Sequence, residues 1–195
     1  MLFRSCSVTD ANASPSSPRP HPWLAHYAPG VPAEIDPSGH SSLVDLLEQS
    51  WRRHARRDAT EFMGRRLRFE QIDELSAALG AWLQAKGVTK GDRVAVMLPN
   101  LPQYLVTVAA VLRVGAIVVN VNPLYTAREL RHQLQDSGAT LIVVLENVAH
   151  VLEEVIDETP LRHVLLCAVG DALGFWKGAA VNFAIRHLKK MVPEF

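Results

Sequence analysis

With 195 residues, 48% of them apolar, the chain is long enough to bury a core and to form one domain or part of a larger one. Lys and Arg balance Asp and Glu at 20 each, so the zero net charge offers no electrostatic footprint for nucleic acid. Two distant cysteines (Cys6, Cys167) and eight scattered histidines form neither CxxC nor HExxH, which leaves no metal motif and suits a reduced, cytosolic chain.

Residues 1–22 are rich in Ser and Pro and lack the apolar run of a signal peptide, so they are expected to be a disordered extension. An extended arm follows from Trp23 to Asp36. Ser42 and Asp45 form a capping-box-like pair that opens a helix with Leu43, Leu46, Leu47 and Trp51 on its inner face. Arg52, Arg53, Arg56 and Arg57 complement its carbonyl end. Residues 60–63 and 66–69 read as two strands around a turn at Gly64-Arg65. Residues 70–86 form an amphipathic helix that turns inward Ile72, Leu75, Leu79, Trp82 and Leu83.

Residues 91–145 carry the organising pattern. Segments 93–98, 116–121 and 140–145 are short, β-branched apolar runs separated by two helix-length stretches. Near-continuous apolar strands alternating with helices predict a mostly parallel sheet with helices on both faces. Asn100 and Pro102 open the first of these helices, and Thr126-x-x-Glu129 is a full capping box for the second. The strand ends bear Asn100, Asn120, Asn122 and Asn147, and ligands of open parallel sheets bind beyond such ends. Any one of these asparagines also suits a plain cap or turn.

Val148, Val151, Leu152, Val155 and Ile156 form another helical stripe, and residues 162–167 form a fourth strand. Residues 170–195 mix Phe175, Trp176, Phe183, Leu188 and Met191 with Lys177, Arg186, Lys189 and Lys190. Such a basic amphipathic segment either lies on an anionic membrane or packs against polypeptide. Gly170, Gly174 and Gly178 recur every four residues, but Asp171 and Lys177 argue against a transmembrane dimer motif. The chain has no GxGxxG and no GxxxxGK[ST], the loops whose bare backbone amides cradle phosphate.

Several stretches resemble the adenylate-forming superfamily and, within it, the long-chain fatty acid–CoA ligases. Leu67-Arg68-Phe69-x-x-Ile72 is similar to its first core motif, and the run from Leu112 to Pro123 to its second. Asn120-Val121-Asn122-Pro123-Leu124-Tyr125-Thr126 and His132-Gln133-Leu134-x-Asp136-Ser137-Gly138-Ala139 point to the long-chain branch. The resemblance implies an incomplete N-terminal subdomain of an acyl-CoA synthetase-like α/β fold. Residues 23–168 are then part of the AMP-binding domain, and residues 169–195 a basic segment of the same domain.

It further implies that the complete enzyme activates a fatty acid with ATP and Mg²⁺ to an acyl-adenylate, and then transfers the acyl group to CoA. The phosphate loop of the family lies beyond the region matched, so this chain alone is expected to be inactive and to bind none of these groups tightly. Asn122, Pro123, Leu124, Tyr125 and His150 align with residues bordering the CoA entrance in related synthetases. The competing account is that Pro123 and Tyr125 shape the turn and that His150 is a solvated helix residue. No catalytic residue and no metal ligand is assigned. The remaining alternative is a non-catalytic truncated paralogue acting as a binding or membrane-associating module. Location on the cytoplasmic face of the membrane, through residues 170–195, and a homodimer are left open.

Overall fold

The computed structural model describes residues 21–194. Two units are distinguished, residues 1–39 and residues 40–195. In the first, Pro22–His26 winds a 3-10 turn and Pro37–Gly39 another, where an extended arm is expected. Proline's fixed φ suits the first residue of a helical turn as well as an extended chain. The disorder expected for residues 1–22 falls almost wholly outside the described residues.

The second unit begins with α1 (Leu43–His54), whose cap Ser42 accepts from the Asp45 amide at 3.1 Å. The shorter Asp carboxylate reaches back to the Ser41 amide at 3.0 Å, one residue before the cap, so the box is closed differently from the Glu version. Trp51 is buried and Leu47 packs beside it, whereas Leu43 and Leu46 are exposed, which narrows the inner face expected for α1.

Strands β1 (Asp58–Phe62) and β2 (Arg65–Arg68) form an antiparallel hairpin. Phe62 pairs with Arg65, so the loop is Met63-Gly64 rather than Gly64-Arg65. Both loop residues have positive φ, 48° and 72°, as the twist of a two-residue hairpin requires. Helix α2 (Phe69–Ala85) buries Ile72 and Leu83, and α3 (Pro102–Arg113) starts on proline. Trp51, Leu67, Ile72 and Ala109 then join α1, the hairpin, α2 and α3 in one small core.

The main sheet contains β3 (Arg93–Met97), β4 (Ile117–Asn120), β5 (Leu141–Leu145) and β6 (His163–Cys167), all parallel, in the order β4-β3-β5-β6. Alternate strand residues point to opposite faces. Val94, Val96, Leu141 and Val143 meet Leu83, Ala110 and Val111 of α2 and α3. Ala95, Met97, Ile142 and Val144 meet Leu130 and Leu134 of α4 (Ala127–Ser137), with Leu152 of α5 (Ala149–Glu153). Burying each large aliphatic side chain contributes roughly 1.5–3 kcal/mol, so the two faces of β3 and β5 dominate the stability of this unit.

Helix α4 has the expected capping box. The Thr126 amide donates to Glu129 at 2.8 Å, and Gly138 ends the helix in the left-handed conformation. The single helix expected after β5 is instead three short pieces: 3-10 turns at Glu146–Val148 and Ile156–Glu158 flank α5. Its β-branched valines are weak helix formers, and the breaks let Val148 pack against both apolar clusters. The last helix, α6 (Phe175–Phe183), runs into a π-turn at Ala184–Leu188.

Candidate functional site

The strand order reverses between β3 and β5: the chain moves from β3 out to β4, then returns past β3 to β5. In an open α/β sheet, the crevice beyond the carboxyl ends at this reversal is where ligands bind. The residues there are Leu98, Pro99 and Asn100 after β3, and Glu146 and Asn147 after β5. Asn120 and Asn122 stand at the end of the neighbouring β4.

None of these asparagines caps a helix with its side chain. Leu101, not Asn100, is the N-cap of α3. Asn120 Oδ1 accepts from the Tyr104 hydroxyl at 3.0 Å, and its carbonyl accepts from Gln133 Nε2 at 2.8 Å, which ties α3 and α4 to the end of β4. Asn122 Oδ1 accepts from the Leu124 amide at 3.0 Å, a local turn that aims the loop toward α4. Asn147 Nδ2 donates to the Met191 carbonyl at 2.9 Å.

The five residues aligned with a CoA entrance occupy two places. Asn122, Pro123, Leu124 and Tyr125 form one turn, in which Pro123 and Tyr125 are half-buried and Leu124 is 87% exposed. His150 lies in α5, half-buried, with Nδ1 shut from solvent and without a hydrogen-bond partner. Tyr125 packs in the same apolar cluster as Val148 and Val151, so the turn and α5 share one face of the sheet. No hydrogen bond joins His150 to the turn among the described residues.

A second group of polar residues gathers at the ends of β5 and β6. Glu146 is buried, and its Oε2 accepts from Arg186 Nε at 3.0 Å and Nη2 at 2.6 Å. The hydrogen bonds that Arg186 donates to Glu146, and secondly the charge of that carboxylate, hold the Arg186 pKa above its ordinary value. Asp171 accepts from the Ala168 amide at 2.7 Å, and Asn182 Oδ1 accepts from the Gly170 amide at 2.7 Å. Gln103 at the start of α3 donates to the Ala168 carbonyl at 3.0 Å. Burial, then the charge of Asp171, push the Cys167 thiol up to about 11, so it is no ready nucleophile. Glu146, Gln103 and Asn182 escape the sequence reading because their partners lie many positions away, and Asn147 is read there without its partner Met191.

Beyond the edge, an apolar groove of about 300 Å³ runs between α2, α3 and β6, lined by Leu75, Leu79, Val106 and Leu165. Leu75, expected to face inward, is exposed on its wall. Among the described residues no group of three His, Cys, Asp or Glu side chains is placed to hold a metal ion. None of their helices is long and apolar enough to cross a membrane.

The three-layer arrangement, a parallel sheet with helices on both faces and a crevice at its carboxyl edge, defines an open α/β domain. The chain belongs to the AMP-binding enzyme family, whose profile matches residues 47–192. It is 51% identical over 174 residues to a long-chain-fatty-acid–CoA ligase of Escherichia coli O6:H1, covering 89% of this chain and 31% of that protein. The corresponding ligase of Bacillus subtilis strain 168 is 38% identical over 174 residues, with 89% and 30% covered. The chain thus spans about a third of the length of the curated relatives it matches.

Among solved structures, a long-chain-fatty-acid-CoA ligase from Archaeoglobus fulgidus superposes with a TM-score of 0.60 at 29% identity, covering 72% of this chain and 29% of that one. The anthranilate CoA ligase AuaEII, solved with anthranoyl-AMP, gives 0.64 at 22% identity, covering 68% and 26%. At that identity the likeness speaks for the fold alone.

Proposed function

We propose that this chain is the amino-terminal scaffold of a long-chain fatty acid–CoA ligase, an enzyme that joins a fatty acid to CoA through an acyl-adenylate formed from ATP with Mg²⁺. The observation that carries the reading is the 51% identity to such a ligase over 174 residues. A carboxylate is a poor electrophile, and the mixed anhydride with AMP supplies the missing leaving group. The charge that develops on phosphate calls for aligned donors and a metal. The residues of this chain do not fit that task, since the sequence has no phosphate loop and the described residues no metal-ready cluster. No chemical step is assigned to them. Their part is to position the carboxyl edge and, through Asn122, Pro123, Leu124, Tyr125 and His150, to border the route of CoA.

A chimera tests the reading. The 174 aligned residues of the Escherichia coli ligase are replaced by those of this chain, and acyl-CoA formation from a long-chain fatty acid is measured. Retained activity is expected. A chimera that fails to fold, or folds and forms no acyl-CoA, overturns the scaffold role. Within an active chimera, His150→Ala raises the KM for CoA if His150 borders the CoA route, and an unchanged KM removes it from that route.

The exposed aromatic end of α6 favours peripheral contact with the cytoplasmic face of a membrane. Phe175 and Trp176 are 80% and 83% exposed, and Lys189 and Lys190 follow the π-turn. A segment with exposed aromatics at its start and cations after its end suits an anionic lipid surface. Sedimentation with anionic vesicles should fall when both aromatics are replaced by serine. Equal sedimentation of both proteins rejects this contact.

A further inference from the structure

Glu146 is the first residue beyond β5, and its side chain is only 8% exposed. One oxygen takes both bonds from Arg186, while the other, Oε1, is buried with no donor among the described residues. Asn147 repeats the arrangement: Nδ2 donates to the Met191 carbonyl, and Oδ1 is buried without a partner. Arg186 projects from the π-turn, so residues 184–191 cross the end of β5 on two polar contacts. A π-turn within a helix is uncommon and concentrates at functional places.

The amino-terminal half of α6 is fixed much more firmly. Gly170 and Gly178 approach backbone to backbone so closely that a Cβ on either would collide with the carbonyl of the other. Asn182 adds bonds to the Gly170 amide and to Asp171. Beyond Asn182 the two polar contacts are the side-chain anchors found among the described residues; Ala184 and Ile185 are half-buried, and Phe183, Leu188 and Met191 are exposed.

The energetics of the closed arrangement are nearly balanced. Coulomb attraction between Glu146 and Arg186 is offset by the desolvation of a buried carboxylate. The two buried acceptors without donors add a penalty that water relieves once the segment lifts. We propose that residues 184–191 are a strap, buckled over the carboxyl edge of β5 by Glu146–Arg186 and Asn147–Met191, which opens as a unit while the sheet stays folded. Because the strand order reverses beside β5, the strap controls access to the crevice where open α/β sheets take their ligands. The proposal does not depend on which ligand is taken there.

Amide hydrogen exchange of the full 195-residue protein tests it. In the wild type, exchange in residues 184–191 should be insensitive to low urea, because local opening exposes little surface, while exchange in β3 and β5 follows global unfolding. Glu146→Gln and Arg186→Met should each speed exchange in the strap by about tenfold or more and leave β3 and β5 unchanged, with Arg186→Lys in between. Strap exchange that follows the strands in urea overturns the proposal, as does a rise equal in strap and strands in the variants. An unchanged strap in both variants overturns it as well.

Discussion

Arg113 of α3 grips Asp73 of α2 twice, donating through one guanidinium nitrogen to the carboxylate and through the other to the backbone carbonyl at 3.1 Å. The same guanidinium lies 3.4 Å from Glu48 and 5.5 Å from the centre of the Trp51 ring, so one half-sheltered cation joins three helices. Arg113→Ala should cost about 2 kcal/mol, the loss of charge-assisted bonds and of stem packing, discounted for the partial exposure of Asp73. Arg113→Lys keeps the charge without the planar fork and should recover less than half. Urea unfolding of the three proteins decides; an Ala variant as stable as wild type would show the cluster to be ornamental.

Gly178 lies inside α6, where alanine is intrinsically better by about 1 kcal/mol. Its Cβ would nevertheless meet the Gly170 carbonyl, which is backbone and cannot rotate away. Gly178→Ala should therefore destabilise, by about 1–3 kcal/mol, and unseat α6. A gain in stability, read by thermal unfolding, would mean that the close approach is slack.

The Thr126 amide and then its hydroxyl donate to Glu129 and hold its carboxyl below the ordinary value. In the unfolded chain the carboxyl takes up its proton at higher pH. The cap's contribution is therefore complete above about pH 4.5 and is lost as pH falls through the lower folded value. The Tm difference between wild type and Glu129→Gln should shrink steadily in that acid range. A difference that stays constant from neutral pH to about pH 3 contradicts the assignment.

The raised Cys167 thiol makes a kinetic prediction. In Cys6→Ser protein, reaction with an aromatic disulfide reagent should be slow at neutral pH and keep rising well past pH 9, since only the thiolate attacks. A plateau near the ordinary thiol value of about 8.5 would place Cys167 in an open, unperturbed setting.

The strands β3 and β5 and the helices α2 and α4 were legible because period and caps are local properties. The hairpin turn was displaced by one residue because a positive φ at Met63 leaves no mark on composition, whereas Gly64 advertises itself. The glycines at 170, 174 and 178 looked like a helix-packing repeat judged against a membrane. Their use is instead a backbone crossing between Gly170 and Gly178 within the chain. The exposed Leu43 and Leu46 of α1 show the limit of a helical stripe, which says where apolar side chains align but not whether anything covers them. At the site, the asparagine turns were visible and their partners were not. Glu146 and Arg186 lie 40 positions apart, and only the folded sheet brings them together.

The order β4-β3-β5-β6 also dictates how the protein assembles as it is made. The first of the four to leave the ribosome, β3, ends up flanked on both sides, so it must wait unpaired until β4 and then β5 arrive across intervening helices. With no local hairpin in the main sheet to nucleate on, growth proceeds outward from that early strand, each addition closing a long loop before it is rewarded. The nascent segment around Val94–Met97 is thus where a chaperone would find the longest-lived apolar target.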